Sequence, residues 1–164
     1  MARGRPKRGG RTRPGPKPDL PQGEADFLVQ IPKIPVDAHD VLAFRPGMNG
    51  EIDLKDTTAV ELFRVIVERS RFNSRHAKYE LLARRSIVLL RYEIEGPRHR
   101  NPDGGLVQCP HLHSYREGYD DAWAKAIVGE FGDPDDLLES LHHFLRYCNV
   151  VQVPQVRVER SLFP

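Results

Sequence analysis

Cysteine is nearly absent from this sequence: Cys109 and Cys148 are its only two. Two thiols do not build a disulfide scaffold, so reduced thiols in a cytoplasmic protein are the expectation. No apolar run is long enough to cross a bilayer, which removes a helical membrane span and a membrane partner from consideration. Basic residues near the start are not followed by an apolar segment, so a secretory leader is not expected. A phosphate-cradling loop is missing too: Gly104-Gly105 lacks the lysine and helix start of a P-loop. Residues 1–18 contain no acid and almost nothing apolar.

What stands in that first stretch is positive charge. Arg3, Arg5, Lys7, Arg8, Arg11, Arg13 and Lys17 are seven of the 25 Lys and Arg residues. The remaining 18 bases face 23 acids, so the modest total of +2 hides a basic arm on a body of net charge −5. Such a split points to a polyanionic partner for the arm. A segment of this composition cannot bury enough surface to offset its ordering entropy, so residues 1–22 are expected to be disordered. Arg3-Gly4-Arg5-Pro6 resembles the core of an AT-hook, the DNA-binding motif of high-mobility-group chromatin proteins. A narrow A·T minor groove attracts Arg, and Gly4 offers no side chain to clash with its floor. Pro6 favours an extended backbone, while Lys7, Arg8, Arg11 and Arg13 can pair with flanking phosphates. A generic basic tail that binds any polyanion, RNA included, is the alternative.

At 164 residues the chain suits one domain with a real core. Order is expected from about residue 23 to 153, then an extended tail over 154–164. Val41–Phe44 and Glu51–Leu54 flank Asn49-Gly50, a hairpin-turn signal. Phe63, Val65 and Val67 alternate with polar residues. Tyr79 to Ile94 reads as two strands joined near Ala83-Arg84-Arg85-Ser86. Residues 96–108 are a turn-rich loop, and His111 to Glu117 reads as a strand. Asp133 suits a helix N-cap with Pro134 at the first helical position. Leu137, Leu138, Leu141, Phe144, Leu145 and Cys148 then form one apolar stripe that Asn149 can end. Val150 to Val158 alternates, but Pro154 limits it to an edge strand or a tail. The predicted fold is α+β: a mainly antiparallel sheet of four to six strands, with the C-terminal helix on one face.

The densest chemistry lies in residues 96–119, which hold His99, His111 and His113 of the seven histidines. On a strand His111, His113 and Tyr115 share a face, and Cys109 has the same parity. Three readings stand side by side. A metal site can use His111 and His113 with His99 or Cys109. Metal-free, cofactor-free RNA cleavage can use two imidazoles, one taking the 2′-hydroxyl proton and one protonating the leaving oxygen. Arg100 and Arg116 then offset charge on the phosphate. Or the histidines line a half-buried strand, and Arg98, Arg100 and Arg116 pair with Asp103, Glu117, Asp120 and Asp121. His142-His143 lie off the apolar stripe of the helix, His39 and His76 are isolated, and Tyr119 and Trp123 read as packing residues.

The stretch HRNPDG followed by PHLHSYREGYDDAWA, then FLRYCNV, resembles a bacterial domain family of unknown function. That similarity extends over most of residues 25–153 and implies no activity. The layout KYELL…VLLRYEIEGPRHR…PHLHSY is similar to TumE-type toxins of bacterial toxin–antitoxin modules. The resemblance implies an RNA-directed, toxin-like ribonuclease neutralised by an antitoxin protein, with only His111 and His113 carried over. The insert 97–109 departs from the toxin pattern. The leading expectation is therefore a ribonuclease of a bacterial or mobile-element defence module. His111 and His113 would be its acid–base pair, with His99, Arg100, Arg116 and Tyr115 around them. The rivals are a non-enzymatic DNA-binding regulator or nucleoid-associated protein acting through the arm, and a phage interaction protein that blocks a host complex.

Overall fold

A computed structural model describes residues 19–159. The expectations for residues 1–18, the basic arm among them, lie outside the described residues. In chain order the elements are α1 (Gln22–Gln30), β1 (Lys33–Pro35), β2 (Val41–Phe44), β3 (Asn49–Asp56), β4 (Leu62–Arg69), β5 (Ala77–Ala83) and β6 (Ile87–Glu93). There follow β7 (His99–Arg100), β8 (Leu106–Val107), β9 (His111–Arg116), β10 (Asp120–Ala126), α2 (Leu137–Tyr147) and β11 (Gln155–Val158). No helix among the described residues is long and apolar enough to cross a membrane. Cys109 and Cys148 are both free.

The fold is α+β, as the patterning implies, and its main sheet is larger than the four to six strands expected. Seven strands run in the order β1-β3-β4-β5-β6-β9-β10. Every pairing in it is antiparallel. Sequential strands are neighbours through most of the sheet because short turns join them. Between β3 and β4 the turn is held by Asp56. Its carboxylate accepts from the N–H groups of Thr58, Val60 and Glu61 and from the Thr58 hydroxyl. Those bonds hold the Asp56 carboxyl down to about 2. Between β5 and β6, Arg84 and Arg85 take φ of 49° and 68°, the left-handed pair of a tight hairpin turn.

The helix α2 covers the face that carries Tyr79 and Tyr92. Leu137, Leu141, Phe144, Leu145 and Cys148 are all buried, so the apolar stripe is the contact surface. The Phe144 ring lies 5.8 Å from that of Tyr79, and Tyr92 meets Phe131 edge-on at 4.6 Å. The Tyr79 hydroxyl donates to the Leu137 carbonyl at 2.7 Å, which satisfies a buried phenol.

Several expectations need correction. The arm does not extend to residue 22: Leu20 is buried and Gln22 opens α1. That helix was not foreseen, because only Ala25 and Leu28 of its nine residues are buried. Asn49-Gly50 is not a turn but the start of β3. The reversal lies at Gly47, with φ +75°, and β2 pairs in parallel with β11 rather than with β3. Gly50 is needed for a different reason: a Cβ there would stand 1.9 Å from the Ala43 carbonyl oxygen, where β2 crosses β3. The helix cap is Asp136, whose side chain accepts from Glu139 N–H, and not Asp133. Asp133 instead organises the preceding turn through Asp135 N–H at 2.9 Å. Of the edge strand and the tail expected over Val150–Val158, the strand is found, as β11 over Gln155–Val158, so the extended tail does not begin at 154, and residues 160–164 lie outside the described residues.

One buried cation ties the two helices to the sheet edge. Lys33 is fully buried, and its ammonium donates to the carbonyls of Val29, Ile31 and Cys148, each at 2.9 Å. The three donors of the group are thus matched by the open carbonyls near the ends of α1 and α2. Burial lowers the Lys33 pKa from its ordinary 10.5 to about 8. Since the folded value lies below the unfolded one, the unfolded chain binds more protons between those two pH values. Stability should therefore rise as pH increases from 8 to 10.5, by about 3 kcal/mol from this group. Denaturant unfolding across that range should show the rise, and Lys33→Met should remove it.

Candidate functional site

The polar face of the sheet is built by one register. Between β6 and β9, Arg91 stands opposite His113 and Glu93 opposite His111. Residues opposite one another share a face, so these four side chains form a two-by-two patch. Leu90, Tyr92 and Leu112 alternate with them and belong to the core. On its other side β9 pairs with β10, placing Ala124 opposite His113 and Ala126 opposite His111.

The hairpin of β7 and β8 lies over this patch and is fastened to the outer edge of β10. Asn101 does the fastening. Its side-chain amide donates to the Ala124 carbonyl at 3.0 Å and accepts from the Ala124 N–H at 2.8 Å. A side chain thus completes the hydrogen bonding of an edge strand, whose N–H and C=O groups would otherwise be open. His99 Nε2 donates to the Ala122 carbonyl at 2.8 Å. The three sequence-predicted histidines converge as a result. Ring centroids are 4.4 Å apart for His99 and His113, 4.9 Å for His111 and His113, and 5.9 Å for His99 and His111.

The hydrogen bonds assign a chemical state to each ring. His113 Nδ1 lies 2.9 Å from the Asp121 carbonyl, an acceptor, so Nδ1 carries the proton. Its Nε2 then has a bare lone pair; Arg91 Nη2 lies about equally close to both ring nitrogens, 3.1 Å from Nδ1 and 3.2 Å from Nε2, and Glu93 Oε1 is 3.7 Å from Nε2. Burial, aided by Arg91, lowers the His113 pKa to about 4, so the ring is neutral at physiological pH. His111 Nδ1 lies 3.6 Å from Cys109 Sγ. Its Nε2 is 3.4 Å from Glu93 Oε2, yet forms no aligned hydrogen bond. The adjoining His111 and Arg91 hold the Glu93 carboxyl down to about 2. Burial pushes the Cys109 thiol up to about 11, so it is not a thiolate.

Glu93 carries an ion pair with Arg91 Nε at 2.8 Å, and Arg91 also pairs with Asp121 through Nη1. Glu93, Arg91 and Asp121 are 22–25% exposed at their side chains, whereas His111 and His113 are at most 1% exposed. Solvent therefore reaches the cluster from the carboxylate side. Glu93 and Arg91 were not singled out in the sequence, and Asp121 was read only as a partner of Arg98, Arg100 or Arg116, whereas it pairs with Arg91. A signal existed: Arg91 and Glu93 share parity on a strand that is otherwise apolar.

The other predicted site residues do not join the cluster. Arg100 donates to the Gly104 carbonyl within its own hairpin and is exposed. The Arg116 guanidinium stacks on Trp123 at 4.2 Å, near the β9–β10 turn. Tyr115 is buried, and its hydroxyl both accepts from Leu20 N–H and donates to the Leu20 carbonyl at 2.9 Å. It clasps the segment leading into α1 and has no proton to spare for chemistry. The metal set of His99, His111 and His113 needs one correction, since His99 Nε2 is already spent on Ala122; the donors that face one another are Glu93, His111 and His113.

Fold and site together define an α+β protein with a covered histidine–carboxylate centre on the polar face of its sheet. Residues 20–150 match a family model described as a family of unknown function (DUF6978), and the chain belongs to that family. No curated protein and no solved structure shows significant similarity to it.

Because Asn101 holds the hairpin through two bonds, Asn101→Ala should cost about 1–3 kcal/mol. Hydrogen exchange at the Ala124 amide should accelerate more than at the His113 amide inside the sheet, a contrast read by residue-resolved exchange.

Proposed function

We propose that this protein is a nucleic-acid-directed hydrolase of the toxin type, which cleaves RNA phosphodiester bonds at the cluster of Glu93, His111 and His113. The observation that carries the reading is the convergence of three imidazoles with a carboxylate and a guanidinium. Phosphodiester cleavage needs groups that handle protons and offset charge on phosphate, and such groups are concentrated here. The seven cations of residues 1–18 supply the attraction to a polyanion that a body of net charge −5 does not. The substrate approaches from the side of Glu93 and Arg91, where the cluster meets solvent. A paired-imidazole scheme is the weaker version, because a neutral His113 has no second proton to give at neutral pH.

A second reading is favoured by the complete burial of His111 and His113. In it the cluster only holds the β7–β8 hairpin, and the protein is a non-enzymatic DNA-binding protein acting through the arm.

One experiment separates them. Purified protein, supplied with divalent metals, is incubated with single-stranded RNA and, separately, with A·T-rich duplex DNA. The first reading expects RNA fragments, a loss of at least about 100-fold in rate for Glu93→Gln with unchanged circular dichroism, and weaker substrate affinity on deleting residues 1–18. Intact RNA with the wild-type protein overturns it. Tight, salt-sensitive duplex binding that the deletion abolishes then supports the second.

A further inference from the structure

We infer that Glu93, His111 and His113 form a binding site for one divalent transition-metal ion, zinc being the ion whose ligand preferences fit best. The inference stands on the geometry of the cluster and does not depend on the RNA reading. One ligand atom from each residue can be chosen so that all three lie within 4.8 Å of one another. Ligands about 2.0–2.1 Å from zinc, at tetrahedral angles, stand about 3.4 Å apart. His111 Nε2 is 3.4 Å from Glu93 Oε2, and His113 Nε2 is 3.7 Å from Glu93 Oε1. The first of these is already the length of a tetrahedral edge, and the second sets His113 against the other oxygen of the same carboxylate.

A second observation is independent of spacing. His111 Nε2 is buried and forms no well-aligned hydrogen bond among the described residues, its neighbour being the Glu93 carboxylate at 3.4 Å. A buried imidazole nitrogen without an aligned partner is destabilising, and a cation that accepts its lone pair removes that penalty. Arg91 Nε is likewise buried without an aligned partner, despite its 2.8 Å contact with Glu93.

The groups behind the ligands are those a metal centre uses to aim them. His113 Nδ1 donates to the Asp121 carbonyl, which points Nε2 inward. His111 Nδ1 faces Cys109 Sγ, and with its proton there the ring presents Nε2 to the centre. Arg91 holds Glu93 Oε1, which leaves Oε2 directed at His111. His99, whose Nε2 is bonded to Ala122, roofs the site instead of ligating. Arg91 Nη2 now lies 3.2 Å from His113 Nε2, and a bound cation displaces it toward Asp121, with which Arg91 already pairs. With three protein ligands and solvent at the Glu93 side, the fourth position belongs to water, the arrangement of catalytic rather than structural zinc.

The test is metal binding by the full chain, without RNA. Protein stripped with a chelator is titrated with Zn²⁺ against a chromophoric competitor, and the bound metal is counted. One Zn²⁺ per chain is expected. Glu93→Gln and His111→Gln should each weaken binding at least about 100-fold while circular dichroism stays native, and His39→Gln at the surface should not. Co²⁺ in place of Zn²⁺ should give visible bands of a four-coordinate nitrogen–oxygen site with no thiolate charge-transfer band. Wild-type protein that binds Zn²⁺ no more tightly than Glu93→Gln overturns the site, and a thiolate band overturns the ligand set. Should a variant unfold, Zn²⁺-dependent quenching or shift of the His111 and His113 ring resonances in the wild type decides alone: movement supports the site, and static resonances refute it. Bound zinc without RNA cleavage would contradict the proposed function and leave the metal site standing.

Discussion

The pairing of β6 with β9 is the constraint on which both the sheet and its polar centre depend. It joins β1, β3, β4, β5 and β6 to β9 and β10, so without it the seven-stranded sheet divides. The same register places Glu93 against His111 and Arg91 against His113. A slip of β6 by one residue would turn its two faces over, sending Tyr92 to the polar side. The aromatic contacts of Tyr92 with Phe131 and Tyr79 resist that slip. The apolar core on one face therefore fixes the arrangement of titratable groups on the other.

Burial of those groups has a local cause. A patch of two imidazoles, a carboxylate and a guanidinium would ordinarily face water on an antiparallel sheet. Here the residues between β6 and β9 fold back as the β7–β8 hairpin, and Asn101 and His99 bind it to the exposed edge of β10. The cover protects an edge strand and encloses the histidines in one step. Low surrounding polarity then strengthens each interaction inside and penalises every group left without an aligned partner. His111 Nε2 is such a group.

Much of the fold was legible in the sequence because the pattern is local. Alternation marks β4, the long run from Tyr79 to Ile94 broken near Ala83–Ser86 marks β5 and β6, His111 to Glu117 reads as β9, and the stripe from Leu137 to Cys148 marks α2. The His-x-His spacing put His111 and His113 on one face, and the turn-rich segment bearing His99 does return to them. Features set by tertiary contact were not legible. Asn49-Gly50 reads as a turn, yet Gly50 answers to the approach of Ala43, seven residues away in sequence and from another sheet. The helix α1 buries too few side chains to leave a strong periodic trace. Glu93 joins the centre only through the β6–β9 register, which no pattern within either strand reveals. Tyr115 has the parity of the site but is drawn off by Leu20, a residue 95 positions away.

The central claim is that Glu93 and His111 act as one coupled unit across β6 and β9. A double-mutant cycle on the free energy of unfolding, with Glu93→Gln, His111→Gln and the pair, tests it most directly. The account predicts a coupling energy of about 1–3 kcal/mol, because either substitution alone leaves the other group buried against the wrong partner. Additivity within about 0.5 kcal/mol would contradict it.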